Sequence, residues 1–459
     1  MAQRPGGSAK PPLTGVTSLS GFPEWLPEGR LVELEVLDAV RRVFELHGFT
    51  PLETRSVEPV DVLLRKGEID KEVYAVRRLH SEAGDEDSLA LHFDLTVPFA
   101  RFVVDNASRL DFPLRRYQVQ KVWRGERPQE GRFREFTQAD IDIVDVDRLA
   151  THHDAEMALV MAEAFASLPF LPPATIHVNN RKVLEGFYRG LGIDDVPAVL
   201  RAIDKLDKIG PAKVRALLLE PGLGEDATDS VLALARIRGT DGSVADEVRA
   251  LGVSDPLLDE GLAELVAVVE AARRVRPGAI EADLHVARGL DYYTGTVYET
   301  TLEGFESLGA ICSGGRYDAL ATDGRTTYPG VGISLGVTRL VSLLLGRDLA
   351  HATRKVPSAV LVAVVDEQSR AASDAVAHAL RSRGIPCEVA PRAEKFGKQI
   401  KHADRRGIPY VWFPESGGDT VKDIRSGEQV GADAATWTPP DTDLRPRVVA
   451  PTESEEGAS

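Results

Sequence analysis

The chain has 459 residues, 43% of them hydrophobic and 27% charged, with a formal net charge of −16. That length exceeds what one ordinary core organises, so two or three domains are expected, and the composition is that of a globular protein rather than a fibrous or disordered one. The acidic total argues against indiscriminate nucleic-acid binding, and no run of roughly 18 apolar residues is present to form a membrane-spanning helix.

In chain order, Met1 to Val16 mixes Pro, Gly, Ser and basic residues without the apolar stretch of a secretion signal. It reads as a disordered lead-in, and the expected location is cytoplasmic. Val36, Leu37, Val40, Val43 and Phe44 share one helical face, so a helix is predicted from about Pro27 to His47, with Gly48 as its stop. Strand-like runs follow at 50–54, 72–76 and 88–93. Asp94 to Pro98 reads as a strand end entering a helix. Strands at 114–123 and 135–144 flank the basic, glycine-bearing stretch 125–134, a hairpin with a loop long enough to suggest function. A helix at 148–168 and a strand at 174–179 come next. Between about 192 and 276 the period turns helical, with breaks at Pro211, Pro221-Gly222 and Pro256. Strand signals return at 282–286, 296–301 and 309–313, and 331–346 reads as a strand running into a helix. After a linker at Lys355-Val-Pro357, alternating strands and helices imply a small α/β domain. The tail from Thr438 is Pro-rich, then acidic, and is expected to be disordered.

Cys312 and Cys387 are the two cysteines. They are too far apart for a local metal site and read as buried structural thiols. His152-His153 lacks a third ligand at suitable spacing and reads as an exposed helix start. Asp145-Val-Asp147 reads as a turn. Two basic islands, Arg115–Arg134 and Lys395–Arg406, suit either a solvated face or an anionic ligand. Walker A, Rossmann, zincin and nucleophile-elbow patterns are all missing from the sequence. Phosphate binding, if present, must therefore use scattered arginines, whose guanidinium groups clamp phosphates and stay charged.

The segment Arg124-Gly-Glu126-Arg127 through Phe136-Thr-Gln138 resembles motif 2 of class II aminoacyl-tRNA synthetases in its histidine-specific form. Asp94-Leu95-Thr96 resembles a histidine-contacting stretch of that family. Arg288-Gly-Leu-Asp-Tyr292-Tyr293 and Ser313-Gly-Gly-Arg-Tyr317-Asp318 are similar to the two signatures of histidyl-tRNA synthetases and their paralogues. Gly332 to Arg339 resembles motif 3, and Val421 to Glu428 a late segment of the anticodon-binding domain. The matches run in family order over nearly the whole chain outside its tails.

The resemblance implies an α+β catalytic domain with an antiparallel sheet over 17–346, carrying the helical insertion at about 192–276. It also implies an α/β anticodon-binding domain over 357–437, with a tail at 438–459. The implied reaction joins histidine to tRNA(His) at the expense of ATP, with Mg²⁺ accompanying the nucleotide and a homodimer as the working form. Arg124, Arg288 and Arg339 are the implied catalytic residues, stabilising charge at the reacting phosphate. Asp94, Leu95, Thr96, Arg124, Gln138, Asp142, Arg288, Tyr292 and Tyr293 are the implied histidine site. Arg124, Glu126, Phe136 and Arg339 are the implied ATP site. Acceptors suit an ammonium, and groups aimed at both imidazole nitrogens would reject apolar isosteres. The sequence departs from the family pattern in two places. Thr338 stands where motif 3 usually has Glu, and Ser56 where motif 1 usually has Pro. Two other readings share the resemblance: a regulatory subunit of ATP phosphoribosyltransferase, and a kinase-fused tRNA sensor. The retained arginines and C-terminal domain disfavour the first, and the lack of kinase motifs the second.

Overall fold

The computed structural model describes residues 19–64, 70–80, 89–220, 223–287 and 292–451. The expected lead-in at 1–16 and the signature residues Arg288–Asp291 lie outside them. The first helix, Pro27–Leu46, starts on proline, whose missing N–H costs nothing at that position. It stops where Gly48 adopts φ +75°. Gly48 N then donates to Glu45 O at 3.0 Å and Phe49 N to Phe44 O at 3.0 Å, which closes the helix end. Its face of Val32, Val36, Val40 and Phe44 is fully buried.

That face packs into the principal core, which is built on a nine-stranded sheet. Across the sheet the strands run Thr50–Pro51, Leu114–Trp123, Glu135–Val144, Gly330–Gly336, Cys312–Tyr317, Thr296–Leu302, Ala174–Asn180, Ile280–Asp283 and Arg238–Gly239. The six central strands are antiparallel throughout. Parallel pairs occur where Thr50–Pro51 meets Leu114–Trp123 and where Ala174–Asn180 meets Ile280–Asp283. The hairpin strands have the boundaries the apolar pattern implied. Residues 72–76, expected as a strand, instead follow a 3-10 turn at Asp70–Glu72 and supply one bridge, Ala75 to Ala90.

The insertion is helical, as expected, except that its Arg238–Gly239 extends the sheet edge against Ile280–Asp283. Its longest helix, Pro256–Val275, lies against helices Arg181–Gly190 and His152–Ala166. The first crossing is close: a Cβ on Gly186 would sit 2.2 Å from Leu258 N, and one on Gly261 2.5 Å from Val183 N. Glycine on both helices is what permits that approach.

The C-terminal sheet has the order Cys387–Val389, Val360–Val362, Tyr410–Phe413, Thr420–Asp423, Gln429–Gly431. Its first three strands are parallel and its last two antiparallel. The last two strands were not foreseen, because Thr420–Gly431 carries few apolar residues. The expected disordered tail is also corrected as far as residue 451, while 452–459 lie outside the described residues. Residues 441–444 form a helical turn, and Val448–Val449 pairs with His351–Ala352 beside the catalytic core. Composition concealed this because the anchors lie elsewhere in the chain. The buried Arg354 donates to the carbonyls of Asp443 at 2.8 Å and Leu444 at 3.0 Å. Tyr410 donates to Asp443 Oδ2 at 2.8 Å. Among the described residues no helix is long and apolar enough to cross a membrane.

Candidate active site

A strand sends alternate side chains to opposite faces, and the central strands use this to separate core from site. Tyr117, Ala139, Ile141, Ile143, Val331, Ile333 and Leu335 point into the principal core. The alternate residues of Glu135–Val144 are Phe136, Gln138, Asp140 and Asp142. Opposite the last three on one side stand Gln120, Gln118 and Arg116. On the other side stand Gly336, Ser334 and Gly332.

At one end of this polar face, Asp142 is 2% exposed and Arg116 fully buried. Arg116 Nη2 lies 2.6 Å from Asp142 Oδ2, and Tyr317 donates to Asp142 Oδ1 at 2.7 Å. Space for that carboxylate exists because position 332 is glycine: a Cβ there would lie 2.0 Å from Asp142 Oδ1. Burial raises the Asp142 carboxyl to about 6, outweighing the opposing pull of Arg116 and the Tyr317 hydrogen bond. Burial likewise raises Asp140 to about 7, against Arg116 and with Asp142 adding to the rise. Thr96, Asp140, Asp142, Tyr293, Tyr317 and Ser334 line one cavity. Tyr293 and Tyr292 lie with ring centroids 4.6 Å apart, and Tyr292 meets Tyr317 edge-on at 6.4 Å. Such a cavity holds more carboxylate than guanidinium, which suits a cation with a planar, hydrogen-bonding body.

At the other end the charge reverses. Arg124 donates to Phe93 O at 3.2 Å and lies over the rings of Phe93 and Phe136, at 4.5 and 5.1 Å from their centroids. Arg339, on the helix Val337–Gly346 that leaves the Gly330–Gly336 strand, donates to Gly131 O at 2.7 Å and to Ala310 O. The loop between the hairpin strands therefore curls back onto this arginine. Its base is held by Arg124 N to Arg134 O at 2.9 Å, and by Gly21 O, which accepts from Arg134 N at 2.7 Å.

The histidyl-tRNA synthetase family model matches residues 21–340, and the anticodon-binding domain model residues 359–430. A histidine–tRNA ligase of Cutibacterium acnes is 61% identical, over 94% of this chain and 98% of that protein. One from Micrococcus luteus is 59% identical, over 94% and 98%. The chain belongs to the histidyl-tRNA synthetase family. The crystal structure of the histidyl-tRNA synthetase from Nostoc sp. PCC 7120 superposes with a TM-score of 0.82 at 36% identity, covering 92% of this chain and 97% of that one.

Against the family's expected site, Thr96, Asp142 and Tyr293 line the one cavity, with Tyr292 behind Tyr293. Gln138 is on the same sheet face, 7% exposed. Asp94 is buried before the helix Thr96–Asn106, and its Oδ1 accepts from Val97 N at 3.1 Å. Leu95 is fully buried and meets the site through its carbonyl, which accepts from Arg116 Nη2 at 3.4 Å. Arg124 and Phe136 are stacked together, and Arg339 lies against the hairpin loop. Glu126 lies 3.5 Å from Arg132 within that loop. Arg288 lies outside the described residues.

The two departures from the family pattern have structural partners. Thr338 Oγ1 accepts from Thr137 N at 2.8 Å, which prolongs the strand ladder past Gly336. Ser56 Oγ accepts from Gln120 Nε2 at 3.0 Å. Asp140, Ser334 and Arg116 were missed. The signal for Asp140 was available, since it falls between Gln138 and Asp142 at a spacing of two in a strand. Arg116 was read as part of a basic island for an anionic ligand. That island is partly consumed by internal pairs: Arg116 with Asp142, Arg115 with Glu156 at 2.6 Å, and Lys121 with Glu135. The helix start at His152-His153 is exposed at His152 only: His153 is 8% exposed and its Nδ1 lies 2.9 Å from Glu156 Oε2, while both cysteines are buried free thiols.

Proposed function

We propose that this chain activates L-histidine with ATP and transfers it to tRNA(His). The observation that carries the reading is the polarity of one strand face: Phe136 under Arg124, then Gln138, Asp140 and Asp142 two residues apart each. An amino acid laid along it meets acceptors with its ammonium and imidazole, and arginines with its carboxylate. ATP enters at the arginine end. A histidine carboxylate oxygen attacks the α-phosphorus, the bond to the bridging oxygen breaks, and pyrophosphate leaves. The terminal adenosine hydroxyl of tRNA then attacks the histidyl carbonyl and AMP leaves.

Arg124 and Arg288 hold the α-phosphate and the carboxylate from two sides, and Arg339 takes the γ-phosphate. Charge concentrates on the phosphoryl oxygens as the bond forms, so fixed guanidinium groups favour that state over the ground state. Phe136 stacks on adenine and Glu126 accepts from its amino group. Asp94, Thr96, Gln138 and Asp142 receive the ammonium, and Tyr292 and Tyr293 shape the imidazole pocket. Among the described residues no three His, Cys, Asp or Glu side chains cluster as a metal site, and position 338 is threonine. Mg²⁺ accompanies the ATP phosphates, whose oxygens supply ligands of the kind it prefers. A cytoplasmic homodimer completes the proposal, supported by the family resemblance.

Histidine-dependent exchange of pyrophosphate into ATP tests it. Exchange with histidine and none with the other amino acids is expected. Folded protein that gives no exchange would overturn the reading and favour a histidine-binding regulatory role.

A further inference from the structure

Gln138, Ser334 and Asp140 form a chain across the seam between strands Glu135–Val144 and Gly330–Gly336. Ser334 stands directly opposite Asp140. Gln138 Nε2 donates to Ser334 Oγ at 2.6 Å, and Ser334 Oγ donates to Asp140 Oδ1. The direction of this chain follows from its far end. Above about pH 7 Asp140 is ionised, and an ionised carboxylate accepts and cannot donate, while a hydroxyl has one proton. With that proton given to Asp140, Ser334 can bind Gln138 only as an acceptor. Gln138 must therefore turn its NH₂ toward Ser334 and its oxygen away. That oxygen is buried, and among the described residues it has no hydrogen-bond partner. A buried amide oxygen held without a partner is placed for a donor that arrives with a ligand.

We propose that Asp140, acting through Ser334, is a positioning residue that locks the Gln138 amide with its oxygen toward the substrate ammonium. Were Ser334 free of Asp140, its hydroxyl could accept from the amide NH₂ or donate to the oxygen of a turned amide, since the two amide orientations differ little in shape. Some of the molecules would then face the ammonium with an NH₂ group. The proposal rests on the reading that Gln138 meets the amino group of histidine.

The test compares binding of L-histidine with binding of imidazole-4-propionate, which lacks the amino group, by calorimetry on the full chain at pH 8, where Asp140 is ionised. The wild type is expected to prefer histidine strongly. Ser334→Ala keeps both carboxylates of the strand and removes the relay. It should weaken histidine by about tenfold or more, the scale of one hydrogen bond to a charged group, while the analogue binds within about twofold of wild type. Asp140→Ala should act in the same direction, and Ser334→Thr, which restores a hydroxyl, should recover the preference. Analogue binding doubles as the check that each variant is folded. Equal losses for both ligands would assign Ser334 to packing and overturn the proposal, as would an unchanged preference in Ser334→Ala. A wild type that binds neither ligand would overturn the function proposed above and the relay with it.

Discussion

Asp140 illustrates how a single residue's cost can point to its use. Its carboxyl is held at about 7 by burial, above its ordinary value near 3.8, so the folded state binds the proton more tightly than the unfolded chain. The sign follows from linkage: the group's contribution to stability is fully present below about pH 4 and is lost as pH rises through about 7. Asp140→Asn has no such titration. Its stability relative to wild type should therefore grow between pH 4 and pH 8, by on the order of 4 kcal/mol. Denaturant unfolding of both proteins at the two pH values measures this, and a pH-independent difference would count against a buried, uncompensated carboxylate. Arg288 makes the complementary case from the sequence. In the proposed reaction its charge is needed most when negative charge peaks at the reacting phosphate, so Arg288→Ala should cut the activation rate at least tenfold more than it weakens histidine binding. Single-turnover rates beside equilibrium binding check that, and equal losses would contradict the role.

At the scale of elements, the close fit between strands matters more than any one hydrogen bond. Position 332 must be glycine because Asp142 Oδ1 occupies the place of its missing Cβ. Gly332→Ala is expected to force Asp142 off Arg116, leaving a fully buried guanidinium without its counter-charge, at a cost of about 3 kcal/mol or more. Gly346→Ala, at a helix end with open space around it, should be neutral or slightly stabilising. Unfolding midpoints of the pair measure the contrast, and a Gly332→Ala protein as stable as wild type would refute the packing argument. The same strands mark what was legible in the sequence. Their boundaries could be read because one face is apolar at a spacing of two and the other polar. Residues 72–76 were read as a strand but supply one bridge, because a strand-like run does not reveal whether a partner strand lies alongside it. Asp140 and Ser334 were legible in principle from strand parity, whereas the Arg116–Asp142 pair depended on a register between strands that local pattern does not set.

For the whole molecule, the division of labour follows from two sheets with separate cores. The order of these units was readable from alternating periods and the linker at 355–357. The return of Val448–Val449 to the catalytic half was not, since its partners lie nearly a hundred residues earlier. That return ties the C-terminal sheet to the catalytic half through Arg354 and a two-residue strand pair. The helix Phe396–Arg406 on the C-terminal half buries Gln399 and Ala403 and leaves Lys395, Lys398, Lys401 and Arg405 exposed along the other side. Its positive charge is locally offset at Lys398, 3.3 Å from Glu394, and at Arg406, 3.0 Å from Glu388. An exposed basic face on an otherwise acidic chain contributes chiefly through phosphate contacts, each of which releases condensed counterions on binding. Replacing Lys395, Lys401 and Arg405 by Gln should therefore raise the tRNA Michaelis constant about tenfold and flatten its dependence on salt. Histidine-dependent pyrophosphate exchange, which needs no tRNA and takes place on the other sheet, should remain within about twofold of wild type. A fall in exchange equal to the fall in charging would place these residues in folding rather than in tRNA contact. Unchanged charging at every salt concentration would remove the helix from the tRNA path.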